Sequence, residues 1–225
     1  MKIIARIHNG FSAKFGIPRQ SGLAPSVLSR ILFEPEYQNA DALRGLEEYS
    51  HLWLIWEFSQ AKREAWSPTV RPPRLGGNKR MGVFATRSPF RPNPIGLSCV
   101  KIVKIILHGE AGPEIIVSGA DLMDGTPVFD IKPYLPYADC HPDAKSGFAG
   151  AVWERQLQVD CPAECLSMIP EEHRKAVMDL LSQDPRPSYQ QDPERIYGMN
   201  YAGMNIRFTV SGDTLTVKEI TKEQA

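Results

Sequence analysis

The clearest strand signals of the chain lie in LSCVKIVKIIL (residues 97–107), HGEAGP (108–113) and EIIV (114–117). Its two apolar runs are rich in Val and Ile, and they flank a segment that holds two glycines and a proline. Because β-branched residues favour strands and Gly and Pro mark turns, the stretch predicts two paired strands. Asp124-Gly125 marks another tight turn, after which Pro127 to Ile131 is predicted to return as a strand.

The residues before this stretch add short strands and no long helical pattern. Strands are predicted over Lys2 to His8, Val27 to Phe33 and His51 to Phe58. The last of these, HLWLIWEF, is an almost unbroken apolar run, which predicts a buried strand with Trp53 and Trp56 in the core. The remaining predicted elements are a loop over Phe15 to Pro25, a helical turn over Ala40 to Leu46 and a brief strand over Met81 to Ala85. Many short strands with turn signals predict a β-barrel or β-sandwich up to about Tyr137.

The composition changes after Tyr137. Residues 138–160 are polar and rich in Gly and Ala, which predicts a linker, and residues 161–225 are predicted to form a small α+β domain. Pro170 to Gln183 has apolar residues at helical spacing and stops before a proline, so a helix is expected there. Asn205 to Val210 and Thr214 to Ile220 alternate about a Ser-Gly-Asp turn, which predicts a hairpin. The predicted fold class is therefore mainly β.

The charge of the chain is balanced, with 26 Lys and Arg against 26 Asp and Glu. Any contact with RNA must therefore come from local clustering of basic residues. Such a cluster runs from Arg71 to Arg91 and contains no Asp or Glu, which predicts a local positive field. A solvated loop rich in Arg has the same composition, so this second interpretation stays open.

The cysteine pattern and the N-terminus argue against a metal site and a membrane. Cys99, Cys140, Cys161 and Cys165 lack the paired spacing of a zinc site, so we expect reduced thiols and no metal. The N-terminal residues lack the long apolar stretch of a signal peptide. The sequence contains no run of about 18 apolar residues, so no membrane span is expected. We therefore expect a cytoplasmic protein without a membrane partner.

Two polar loop segments are candidate binding sites because proline stiffens them. In Pro18-Arg19-Gln20, Arg and Gln offer multidentate hydrogen bonds to a carboxylate or a base, although an ordinary surface turn has the same residues. The segment from Thr86 to Gly96 contains three prolines, which hold Arg87, Arg91 and Asn93 in fixed directions. A rigid loop that displays cations favours a functional interpretation.

A third candidate is Asp124-Gly125-Thr126-Pro127, which is followed by Asp130 to Tyr134. The pattern by itself is that of a β-turn, yet Asp124 can accept hydrogen bonds from a ribose and the backbone at Gly125 can reach an adenine edge. His51 is more typical of a structural histidine than of a catalyst. The common Gly-rich nucleotide motifs are missing, so a nucleotide-like cofactor requires a different fold.

Several motifs follow one another in a fixed order along the first 137 residues. They are Pro18-Arg19-Gln20, Ser50-His51-Leu52-Trp53, Pro72 to Gly77, Gly82 to Pro89, Arg91 to Leu97 and Asp124 to Pro127. This series resembles the TsaA-like (TrmO) family of tRNA methyltransferases. The tail motif from Gln183 to Tyr189 resembles the C-terminal domain of the family's bacterial members.

The resemblance implies a β-barrel over residues 1–137 that binds S-adenosylmethionine, and a homodimer that acts on tRNA. It implies methylation of N6 of threonylcarbamoyl-adenosine (t6A to m6t6A) at position 37, next to the anticodon. The cofactor residues that it implies are Pro18, Arg19, Gln20, Ser59, Gln60, Arg87, Leu97, Asp124, Gly125, Thr126 and Pro127. Many relatives carry His where Ser59 stands, so a contact through an imidazole is not expected here. Contacts to tRNA phosphates are expected from Arg74, Arg80, Arg91 and Arg186.

The implied reaction is an in-line displacement at the sulfonium methyl group. Its leaving group becomes neutral and needs no acid, so alignment of donor and acceptor supplies much of the rate. The N6 atom belongs to a urea-like group and must lose a proton, but the sequence indicates no base beyond Asp124 and Tyr134, chosen by polarity alone. The alternative is a barrel that binds S-adenosylmethionine or RNA without chemistry.

Overall fold

The computed structural model describes residues 1–61, 64–72, 75, 79–152, 156–187, 190 and 192–223. The strands are β1 (Ala5–His8), β2 (Leu28–Phe33), β3 (His51–Glu57), β4 (Thr69–Val70), β5 (Met81–Gly82), β6 (Ile95–Gly109), β7 (Gly112–Ser118), β8 (Pro127–Pro133), β9 (Gln158–Asp160), β10 (Tyr197–Tyr201), β11 (Met204–Ser211) and β12 (Thr214–Lys222). The α-helices are α1 (Pro136–Asp139), α2 (Ala163–Met168) and α3 (Glu171–Ser182). Short 3-10 turns span Pro35–Tyr37, Ala40–Leu43, Leu46–Glu48, Ser59–Ala61, Val83–Ala85 and Gly147–Val152.

Six strands close a barrel in the order β1-β2-β7-β6-β3-β8. The barrel closes because β1 pairs antiparallel with β2 on one side and with β8 on the other. Closure leaves no unpaired strand edge, which is one solution to the edge problem of an isolated sheet. The mainly β fold with an N-terminal barrel is confirmed, and of barrel and sandwich the structure is the barrel. The brief strand predicted over Met81 to Ala85 is shorter, since its second half is a 3-10 turn.

Strand β3 shows how the barrel sorts its side chains. Leu52, Leu54 and Trp56 face the interior and are at most 5% exposed, whereas the intervening residues are half-buried. This alternation follows from the two-residue period of a strand. The prediction that Trp53 belongs to the core is therefore wrong. Its indole lies outside the barrel and packs against Tyr134, with ring centroids 5.8 Å apart.

The C-terminal unit is a four-stranded sheet in the order β10-β11-β12-β9. Helix α2 contacts β12 and helix α3 contacts β9. Four apolar residues of α3 are buried at the predicted helical spacing, and β11 and β12 form the predicted hairpin. Strand β9 takes up the last three residues of the segment predicted as a linker and pairs parallel with β12. Three residues are too few to show an alternating pattern, which explains why the sequence did not indicate it.

The loop between β1 and β2, residues 9–27, packs against the C-terminal unit. Phe11 and Val27 are fully buried in the apolar cluster that also holds α3 and β10 to β12. At Gly16, an added Cβ would lie 2.4 Å from Met199 Cγ, so only a residue without a side chain allows this close approach. This loop carries Pro18-Arg19-Gln20, so the position of that motif depends on the barrel and on the C-terminal unit.

The described helices are short, and α3 is the longest of them with 12 residues. No helix in the described part of the chain is long and apolar enough to cross a membrane. The four cysteines are free thiols. Among the described residues, no three His, Cys, Asp or Glu side chains come together as a group that could hold a metal ion.

Candidate active site

One end of the barrel collects the loops that carry the predicted cofactor residues. The strand registers place His8 opposite Arg30 and Glu57 opposite Ile95, so β1 and β3 end where β2 and β6 begin. Strand β7 ends and β8 begins at the same end. We call this end the cofactor rim and define it by the described residues of the connecting loops 9–27, 58–94 (which includes the short strands β4 and β5) and 119–126. Every predicted cofactor residue lies on these loops or at the first residues of β6 and β8.

The three loops of the cofactor rim meet through polar contacts. Arg87 Nη1 donates a hydrogen bond to Gln20 Oε1, which joins the loops 58–94 and 9–27. The Arg87 guanidinium also lies in the field of the Asp121 carboxylate. On the other side, Gln60 Nε2 lies 3.5 Å from Met123 Sδ. The structure thus brings Gln20, Gln60 and Arg87 to one region.

Asp121 lies on the 119–126 loop of the rim and was not among the predicted site residues. Its Oδ1 accepts a hydrogen bond from Ser98 Oγ at 2.5 Å, and Ser98 Oγ accepts one from Trp56 Nε1 at 2.9 Å. Because Ser98 is 1% exposed, the chain of bonds runs from the barrel core to the rim. Burial raises the pKa of Asp121, although the bond from Ser98 and the charge of Arg87 act in the opposite direction. Its one sequence signal is a carboxylate inside the otherwise apolar run Ala120 to Met123.

The turn from Asp124 to Pro127 is fixed to the end of β1. Asp124 Oδ1 accepts a hydrogen bond from the Asn9 N–H at 3.0 Å and lies 3.3 Å from His8 Nδ1. Gly125 has a φ of 73°, which glycine adopts without strain. Its N–H donates to the Ile7 carbonyl at 2.8 Å. The turn therefore keeps its shape, while the Asp124 side chain stays partly exposed at the rim.

The remaining predicted cofactor residues differ in exposure. Pro18, Thr126 and Pro127 are buried, so they shape the rim rather than offer side-chain contacts. Ser59 is exposed in the 3-10 turn that follows β3. Leu97 is 55% exposed at the start of β6 and offers an apolar surface beside the rim.

The four arginines expected to contact tRNA lie in different surroundings. Arg80 is exposed and Arg91 is half-buried, and both lie on the 58–94 loop. Arg74 lies outside the described residues. Arg186 is only 8% exposed, and its guanidinium pairs with Asp184 at 2.8 Å. The geometry favours a structural role for Arg186 over a contact with a phosphate.

Tyr134 lies at the opposite end of the barrel from Asp124. It follows the last residue of β8, and its N–H donates to the carbonyl of His51 at the start of β3. The seven residues of β8 separate it from the rim by roughly 20 Å. Desolvation raises the pKa of the Tyr134 phenol. Within one chain, the structure does not bring this candidate base to the cofactor rim.

The chain matches known proteins over nearly its whole length. Residues 6–140 match the family model of the tRNA-methyltransferase O N-terminal domain, and residues 153–223 match that of the TrmO C-terminal domain. The chain is 42% identical over 217 residues to the tRNA (adenine(37)-N6)-methyltransferase of Escherichia coli (strain K12), and the match covers 92% of each chain.

Two matches from Pseudomonas aeruginosa agree with this. One relative carries S-adenosylmethionine-dependent methyltransferase in its name and is 41% identical over 213 residues, which cover 91% of this chain and 90% of that one. The crystal structure of TrmO from the same species superposes with a TM-score of 0.78 at 34% identity and covers 98% of this chain and 95% of that one. The chain therefore belongs to the tRNA-methyltransferase O family.

Proposed function

We propose that this protein transfers the methyl group of S-adenosylmethionine to N6 of threonylcarbamoyl-adenosine at position 37 of tRNA, which converts t6A to m6t6A. Membership of the family supports the reaction class. The observation that carries the assignment of the site is the meeting of three loops at the cofactor rim. There Arg87 contacts Gln20, and its charge acts on the Asp121 carboxylate.

The groups at the cofactor rim fit the chemistry of the methyl donor. The planar guanidinium of Arg87 suits a carboxylate, and the exposed Asp124 carboxylate suits ribose hydroxyls. The amide of Gln60 and the backbone of the Gly125 turn can hydrogen-bond an adenine edge. The exposed side chain of Leu97 supplies apolar contact. When bound, the donor supplies a methyl group on a cationic sulfur.

The protein's own part in the reaction is alignment and proton acceptance. Alignment of two bound reactants can lower the activation free energy of the uncatalysed reaction by up to about 7–11 kcal/mol. We assign Asp121 the role of proton acceptor for N6, since it lies on the 119–126 loop of the rim, its Oδ1 is held by Ser98 Oγ at 2.5 Å, and burial raises the pKa of its carboxyl. A raised pKa makes a carboxylate a better base near neutral pH.

The basic loop of the rim supports binding of tRNA. Arg71, Lys79 and Arg80 are exposed, and Arg91 is half-buried on the same loop. Cations in this arrangement hold phosphates and fix the position of the RNA without reading its sequence. Arg91 is the arginine that we assign to the threonyl carboxylate of the substrate, because charge-assisted pairs of this kind are strong.

The same proposal includes a homodimer in the cytoplasm. Strand β6 exposes four large apolar side chains, each 37–55% accessible: Ile95, Leu97, Val103 and Leu107. Large apolar side chains exposed on the outside of one strand are candidates for burial against a partner. Because Leu97 is one of these side chains and also belongs to the rim, a second copy bound here would cover part of the site. A cytoplasmic location fits an enzyme that acts on tRNA.

The test is transfer of a labelled methyl group from S-adenosylmethionine to tRNA that carries t6A. We expect the wild-type protein to label this tRNA and to leave tRNA without t6A unlabelled. The Arg87→Ala variant should lose the activity, whereas the Arg207→Ala variant, whose arginine pairs with Glu219 on the C-terminal sheet, should keep it. Binding of the donor without any labelling would support the non-catalytic module instead.

A further inference from the structure

Arg19 connects the cofactor rim to the C-terminal unit. It lies between Pro18 and Gln20, yet its guanidinium reaches towards the segment after α3. Arg19 Nη2 donates to the backbone carbonyl of Arg186 at 2.7 Å and to that of Asp184 at 3.3 Å. These two acceptors fix the direction of the Arg19 side chain and, with it, the backbone of the neighbouring residues.

An ion pair within the same segment holds the two carbonyls in place. Arg186 Nε and Nη2 donate to Asp184 Oδ1 and Oδ2 at 2.8 and 2.9 Å, which makes the pair bidentate. The Arg186 N–H also lies 3.3 Å from Asp184 Oδ1. A bidentate pair with little exposure is stronger than a surface pair. We call Asp184, Arg186 and their bonds to Arg19 the clamp.

The backbone and the packing around the clamp are equally constrained. Asp184 has a φ of 49°, a left-handed conformation that costs energy for a residue with a side chain. Such a conformation persists only where the surroundings determine it. The space between this segment and the loop 9–27 is about 30 Å³, room for about one water molecule.

We propose that Asp184 and Arg186 are positioning residues that act through Arg19, so that the C-terminal unit sets the affinity of the cofactor rim for S-adenosylmethionine. The inference rests on the proposed cofactor role of Pro18-Arg19-Gln20. It replaces the role of Arg186 as a contact to tRNA phosphate, because a guanidinium that is buried and already paired offers little to a phosphate.

The test measures the affinity of full-length variants for S-adenosylmethionine by calorimetry. We expect Arg186→Ala and Asp184→Asn to weaken it roughly tenfold, the size of one charge-assisted hydrogen bond. Arg186→Lys keeps the charge but cannot form the bidentate pair, so it should lose about as much. Arg207→Ala serves as the control and should leave the affinity unchanged. Thermal unfolding establishes that each variant is folded. If Arg186→Ala does not fold, the donor affinity of Asp184→Asn decides the test instead.

A double variant tests the route through Arg19. If the clamp acts through this residue, Arg19→Ala combined with Arg186→Ala should weaken binding no more than Arg19→Ala alone. Additive losses would contradict the proposal, and so would wild-type donor affinity in Arg186→Ala, whether or not that variant binds tRNA more weakly. If Arg19→Ala binds the donor with wild-type affinity, Pro18-Arg19-Gln20 has no cofactor role that depends on Arg19, and the clamp cannot act on donor binding. Methyl transfer by the wild-type protein tests the proposed function separately.

Discussion

Replacing Gly96 with alanine should disturb the core of the barrel and the cofactor rim together. An added Cβ at this position would lie 2.2, 2.4 and 2.6 Å from the Cε2, Cζ2 and Cδ2 atoms of the Trp56 indole. Carbon atoms settle at about 3.5–4.0 Å, so the indole must move by roughly 1 Å or more. Trp56 is only 5% exposed, which leaves little room for that movement.

The expected cost follows from two contributions. Overpacking of a filled core costs about 1–3 kcal/mol. Movement of the indole also breaks the bond from Trp56 Nε1 to Ser98 Oγ, which is worth about 1 kcal/mol. The free energy of unfolding should therefore fall by about 2–4 kcal/mol, and Tm by roughly 5–15 °C. Because Ser98 also donates to Asp121, whose carboxylate interacts with the charge of Arg87, the affinity for S-adenosylmethionine should fall as well.

Urea unfolding followed by circular dichroism measures the loss of stability, and calorimetry measures the affinity for the donor. Gly82→Ala is the matched control. Gly82 has an ordinary φ of −57°, and a Cβ added there meets no atom within 4 Å. This variant should change the free energy of unfolding by less than about 0.5 kcal/mol. Wild-type stability in Gly96→Ala would show that the Trp56 indole can move aside without cost and is not confined by the barrel core.

Three further predictions concern the site and its surroundings. Arg87→Ala should weaken binding of S-adenosylmethionine about tenfold or more, while Arg80→Ala should weaken only tRNA binding. Calorimetry measures the affinity for the donor, and gel shift measures the affinity for tRNA. If the two variants lose equally in both assays, the assignment of Arg87 to the donor and Arg80 to tRNA is wrong. Burial raises the pKa of Asp121, so its contribution to stability is greatest below the ordinary value of 3.8 and is lost as the pH rises through the folded pKa. The Tm of Asp121→Asn should therefore rise relative to that of the wild type as the pH increases above 3.8, while the variant loses methyl transfer. A Tm difference that does not depend on pH would argue against a buried carboxyl at this position. Val103→Glu should convert a dimer into a monomer in light scattering after gel filtration, and an unchanged mass would place the dimer contact elsewhere.

The sequence predicts the strands of the barrel and the helix of the tail because their patterns are local. Leu97 to Leu107 is a run rich in β-branched residues next to turn residues, and Pro170 to Gln183 shows the 3.6-residue period of a helix. The direction of Trp53 could not be predicted, because an unbroken apolar run does not show which residues face the barrel interior. Strand β9 is too short to show any period.

The candidate site was predictable only in part, since its polar contacts join residues that lie far apart in the chain. Proline and arginine in short motifs indicated the loops of the cofactor rim. No local pattern connects Ser98 to Asp121 or Arg19 to the carbonyl of Arg186, because each pair forms only after the barrel closes and the C-terminal unit docks. For the same reason an exposed phosphate contact was expected at Arg186, where the fold has a buried ion pair.

Mass spectrometry of nucleosides from the tRNA of cells that lack this protein tests the proposed methyl transfer most simply. We expect that m6t6A disappears, that t6A accumulates, and that the wild-type protein restores the methylated nucleoside whereas Arg87→Ala does not. Cells that lack the protein and still contain m6t6A at the normal level, with no second enzyme able to form it, would show that this protein does not form the methylated nucleoside.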